Sequence, residues 1–105
     1  MAVYFFDSSA LVKRYIQEPG SAWVLTLSQH TPPEDIYIAR IAGAEVVSAI
    51  ARRGRAGHLT PKVLTAALDR FQQDFASSYE IIEVSPAMIG QAMTLARTRF
   101  LVVLP

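Results

Sequence analysis

The chain has 105 residues, of which 51% are hydrophobic and 18% charged, with a formal net charge of +1 and no cysteine. That length predicts a single domain with a real core, and the balance excludes a disordered chain and a partner held by bulk charge alone. The missing cysteines exclude disulfide staples, thiol catalysis and thiolate metal ligands. The opening apolar run, about four residues, is too short for a signal peptide or a membrane span. A soluble, cytoplasmic domain with no membrane contact is expected.

In chain order, residues 3–7 (VYFFD) are apolar, aromatic and β-branched, and predict a fully buried strand. Ser8 or Ser9 is placed to cap a helix over 10–17, with Leu11, Val12, Tyr15 and Ile16 on one stripe. Pro19-Gly20 ends that helix, and a short one over 22–28 carries Trp23, Val24 and Leu27. Residues 35–39 (DIYIA) predict a second strand. A helix over 40–53 follows, with Ile41, Val46, Val47 and Ile50 inward and Gly54 and Gly57 at its exit.

Thr60-Pro61 marks a further helix start, with Leu64, Ala67, Leu68, Phe71 and Phe75 at helical spacing beyond it. Trp23, Phe71 and Phe75 are expected in the core. Residues 79–84 (YEIIEV) predict a third strand, with Glu80 and Glu83 facing solvent. Ser85-Pro86 launches a helix over 87–98 with Ile89, Ala92, Leu95 and Ala96 on one face, and 100–104 (FLVVL) is again β-prone. Strands separated by helices predict a parallel sheet covered by helices. Ligands of such sheets gather at the carboxyl ends of the strands, where Asp7 falls.

Asp7 supports two readings. It can be an N-cap, or it can be half of a metal site, since an unpaired carboxylate against a buried strand costs several kcal/mol unless compensated. Glu45 stands in IAGAEVVSAIARR among small and apolar neighbours. Small Gly43 and Ala44 would let that helix approach the sheet and bring Glu45 to the strand ends; alternatively Glu45, Ser48 and Arg52 form a solvent-facing stripe. Together the two carboxylates suit Mg²⁺ or Mn²⁺, hard ions that favour oxygen ligands and retain waters. Such an ion suits phosphodiester hydrolysis. Lys13, Arg14, Arg52 and Arg53 are candidate RNA contacts, although Arg52 and Arg53 also complement a helix dipole. His30 and His58 have no ligand-spaced partner and read as surface residues.

The stretch YFFDSSALVKRYIQEPGS closely resembles the opening of PIN domains, in particular the VapC-type toxins of bacterial toxin–antitoxin pairs. IARIAGAEVVSAIARR resembles that family's second acidic motif, and YEIIEVSPAMIGQAMTLA its third strand and following helix. The resemblance implies a three-layer α/β/α sandwich and an Mg²⁺- or Mn²⁺-dependent endoribonuclease with Asp7 and Glu45 as metal ligands. Ser9 would orient a ligand or water, RNA would be the substrate, and a cognate antitoxin the protein partner. After residue 98 the chain departs from the family. No acidic residue follows Glu83, so the third and fourth carboxylates and the final strands and helices are expected to be missing, as in a truncated or frame-shifted end. That loss predicts weakened metal binding, an uncovered sheet edge and hence a homodimer or higher oligomer. The alternative function is a catalytically inactive module that binds an antitoxin or itself.

Overall fold

The computed structural model describes residues 4–32 and 35–98. Three parallel strands, β1 (Tyr4–Phe5), β2 (Ile36–Ala39) and β3 (Glu80–Ile82), form a sheet in the order β1-β2-β3. Tyr4 pairs with Ile36, and Tyr37 with Glu80, which sets the register. The Phe6 amide extends the first pairing by donating to the Tyr37 carbonyl at 3.0 Å. Parallel neighbours need crossover connections. Here each crossover is a helix pair: α1 (Ser8–Tyr15) and α2 (Ser21–Gln29), then α3 (Arg40–Arg55) and α4 (Pro61–Ser77). The helix α5 (Pro86–Thr98) follows β3. The expected mixed α/β chain with a parallel sheet is therefore present. Val3 and the expected strand at 100–104 lie outside the described residues.

Helix boundaries follow local chemistry. Asp7, not Ser8 or Ser9, is the N-cap of α1: its Oδ1 accepts from the Ala10 amide at 3.1 Å. Both serines sit inside the first turn, because Asp7 holds extended backbone while offering the better acceptor. Gly20 turns the chain into α2 with φ +93°, a left-handed conformation that favours glycine. The Ser21 hydroxyl seals the same corner by donating to the Ile16 carbonyl and accepting from the Glu18 amide. Thr60 caps α4 through the Val63 amide, with proline at the first helical position. Ser85 serves α5 the same way through the Met88 amide at 3.2 Å.

The core joins Phe6, Leu11, Val24, Ile36, Ile38, Val46, Ile50 and Phe71, all buried. Phe71 lies edge-on to Tyr15 and to Phe75, with ring centroids 5.3 and 5.9 Å away. Two core expectations fail. Trp23 is 54% exposed and Ile41 65% exposed, because Ala42, one residue on, points inward and turns Ile41 about 100° away from the core. Among the described side chains of α5 none joins the buried core, and Met88, Ile89 and Met93 are exposed.

Gly43 does not bring α3 to the sheet. A Cβ there would lie 2.6 Å from Phe75 Cε1, so the missing side chain admits α4. Gly43→Ala is expected to destabilise the fold by about 1–3 kcal/mol, outweighing the roughly 1 kcal/mol that alanine gains in helix propensity. The Phe75 ring is held edge-on by Phe71 and has little freedom to yield. Gly54→Ala meets Leu64 Cδ2 at the same 2.6 Å, but that branch can rotate, so near-neutrality is expected. Paired urea titrations check the contrast.

Candidate active site

Asp7 lies two residues past the end of β1 and caps α1, so it stands at the turn from strand to helix. Its carboxylate is half-buried at the carboxyl end of β1. The next two residues, Ser8 and Ser9, line a cleft of about 430 Å³ between α1 and α3. The far wall is Ala44, Glu45, Ser48, Ala49 and Arg52, and Val12 forms part of the floor. Glu45, Ser48 and Arg52 are exposed, so the solvent-facing stripe expected as an alternative is realised as one wall of this cleft. Packing explains the orientation: Ala42, Val46 and Ile50 take the core side of α3.

The cleft thus brings Ser9 and Glu45 together, with Asp7 adjoining through Ser8. The available donors are all oxygen: two carboxylates and the hydroxyls of Ser8, Ser9 and Ser48. In kind this set fits a hard divalent ion that keeps several waters. One Asp7 oxygen accepts from the Ala10 amide, which restrains the carboxylate at the start of α1. Among the described residues, no three acids or histidines gather as a metal-binding group.

No family model and no curated protein matches the chain.

The four basic candidates part company. Arg52 alone lines the cleft. Lys13 and Arg53 both bind Glu18, Lys13 at 3.3 Å and Arg53 through Nη2 in close contact. Arg14 donates to the Tyr79 hydroxyl at 2.6 Å, and its guanidinium lies 5.5 Å from the Tyr79 ring centroid. Basic charge that sequence offers to RNA is therefore partly engaged inside the fold. His30 and His58 are exposed, as expected, and so is Glu83, which pairs with Arg40.

Glu18 is the residue that sequence reasoning passes over. Its side chain is 12% exposed and ties Lys13 of α1 to Arg53 of α3, the two helices that form the cleft. The Lys13–Glu18 spacing and the E-P-G turn were the available signals; Arg53 lies too far along the chain to be paired by spacing.

A second polar cluster, Arg14–Tyr79–Tyr15–Asp74, joins α1, α4 and the approach to β3. Tyr15 donates to Asp74 Oδ2 at 2.6 Å, and the two phenol oxygens lie 2.5 Å apart. Burial, then Tyr79 and Asp74, push the Tyr15 phenol well above the ordinary value of 10.0. Burial also raises Tyr79, against the opposing hydrogen bond from Tyr15 and the charge of Arg14. Below pH 10 both phenols are protonated in folded and unfolded chains alike, and the network's stabilisation is complete. Above it the unfolded tyrosines ionise first, so stability falls by up to about 1.4 kcal/mol per pH unit for each tyrosine. Urea midpoints measured across that range should drop as pH rises. Tyr15→Phe should flatten the fall, and an unchanged slope would count against the network.

Proposed function

We propose that the chain is a PIN-like domain with an α/β/α sandwich, acting as an Mg²⁺- or Mn²⁺-dependent endoribonuclease of a toxin–antitoxin pair. The observation that carries this reading is the α1–α3 cleft, where Ser9, Glu45, Ser48 and Arg52 meet, with Asp7 next in the chain to the wall residue Ser8. Asp7 and Glu45 would hold the ion. When bound, such an ion supplies Lewis acidity that activates water and offsets phosphate charge. Ser9 orients a ligand or water from the cleft wall. Arg52 offers a guanidinium to a phosphate entering the same cleft. RNA is the substrate and a cognate antitoxin the protein partner.

Association of a second copy belongs to the same reading. Among the described residues β1 pairs on one side only, and an unpaired apolar edge favours strand or helix partners. The exposed Met88, Ile89 and Met93 of α5 add a second apolar surface. A second reading, an inactive interaction module, is favoured by the pair of carboxylates standing without a third acid among the described residues.

Mn²⁺ titration and RNA cleavage separate the two. For the enzyme, Asp7→Asn and Glu45→Gln should each weaken Mn²⁺ binding by more than the 10–100-fold (order of magnitude) that losing an outer-shell partner costs. Cleavage should vanish with them. Partner binding undiminished in chelator, with no Asp7-dependent Mn²⁺ binding, would replace the enzyme with the module.

A further inference from the structure

At the opposite end of α1, Arg14 and Arg70 converge on a separate pocket of about 180 Å³, completed by Leu25, Ser28 and Gln29 of α2. It belongs to another face of the molecule. Arg14 lies two residues beyond Val12, about 200° around the helix from the wall that faces the cleft. Neither arginine forms an ion pair among the described residues, where all the pairs use Lys13, Arg40 or Arg53. Arg14 is held in place without being neutralised: one Nη donates to the Tyr79 hydroxyl, and the guanidinium rests against the Tyr79 and Tyr15 rings. Four of its five N–H groups remain for another acceptor.

We propose that this pocket binds a phosphate monoester group, gripped between the Arg14 and Arg70 guanidiniums with the Gln29 side chain as a further donor. The charge balance favours it. Two guanidiniums face about half a unit of negative charge from the carbonyl end of α2. The nearby carboxylate, Asp74, does not line the pocket and is engaged by the Tyr15 hydroxyl. Net positive charge remains. A phosphate monoester carries roughly 1.5–2 negative charges near neutral pH, more than a carboxylate, and its oxygens match the guanidinium fork. The Ser28 hydroxyl donates to the Val24 carbonyl at 2.8 Å, so the specificity falls on the arginines and Gln29. The pocket is small enough to admit the phosphate with a few waters, leaving any nucleoside outside.

The site does not depend on the metal cleft, and the experiment keeps the two apart. The full chain, in chelator, is titrated with inorganic phosphate, adenosine 5′-monophosphate and adenosine while amide and arginine Nε–H resonances are followed by NMR. Saturable shifts are expected at Arg14, Arg70 and the end of α2, with phosphate and the monophosphate and not with adenosine. Tighter binding of the monophosphate than of phosphate identifies a nucleotide source; equal binding identifies the bare phosphate group. Arg70→Gln, on an exposed position outside the tyrosine network, should weaken binding by roughly tenfold or more, an effect matched to losing one charge-assisted contact. Absence of saturable shifts, shifts confined to Ser8, Ser9 and Glu45, or unchanged affinity in Arg70→Gln would overturn the proposal.

Discussion

Truncating Phe71 to alanine is expected to remove about 3–5 kcal/mol of folding stability, the range for emptying a buried aromatic site. Phe71 is 1% exposed and stands where α4 meets α1 and α3. Its ring contacts Tyr15 edge-on at 5.3 Å and Phe75 at 5.9 Å, and each contact adds to the area term. Collapse cannot readily fill the space. Phe75 is pinned by the close approach of Gly43, and Tyr15 is tethered by Asp74 and Tyr79. Native domains hold only about 5–15 kcal/mol in all, so the loss should remove a large fraction of the total stability. Urea unfolding followed by circular dichroism gives the value. A loss below about 1.5 kcal/mol would mean that the α4 packing is looser than the ring geometry indicates.

Replacing Glu18 by glutamine should cost about 1.5–3 kcal/mol. A fully buried pair that loses one partner costs roughly 3–5 kcal/mol. The figure is discounted here because Lys13 and Arg53 retain 25% and 39% exposure and can recover water. The consequence reaches the cleft. Glu18 joins the α1–α2 corner to the last turn of α3, so its loss frees the two helices that carry Ser9 and Glu45. A double-mutant cycle with Arg53→Gln should return a coupling well above the 0.2–1 kcal/mol (approximate) of exposed ion pairs. Coupling inside that range would demote Glu18 to an ordinary surface residue. Mn²⁺ affinity in the same variants should fall only modestly, since both carboxylates remain. That separates a positioning loss from the loss of a ligand in Asp7→Asn.

Much of the order was legible in the chain. Short apolar or β-branched runs before Asp7, ending at Ala39 and after Ser78 mark the strands, although only β2 is mostly buried and the fully buried strand expected before Asp7 is partly exposed. Thr60-Pro61 and Ser85-Pro86 mark helix starts because a hydroxyl acceptor and a preset φ act within three residues. Asp7 and Glu45 stood out as carboxylates set in apolar context, although the fold leaves Asp7 half-buried and Glu45 exposed. Those signals are local, and local physics suffices for them.

What the sequence left open depended on which distant group arrived beside each residue. Ser8 and Ser9 looked like caps until the backbone gave that role to Asp7. Gly43 looked like a contact with the sheet, yet its neighbour is Phe75, thirty-two positions along and on another helix. Lys13, Arg14, Arg52 and Arg53 read alike as candidate RNA contacts, but Glu18, Tyr79 and the α1–α3 cleft divide them. Trp23 and Ile41 carry apolar side chains that no pattern marks as exposed, and the rotation of α2 and α3 about their axes decided their fate. A sequence by itself determines the elements and marks the carboxylates set among apolar neighbours, because both are written within a few residues. Tertiary structure alone decided the pairing of Glu18 with Lys13 and Arg53 and the walls of both pockets, because each is formed by side chains that meet only after the helices have packed.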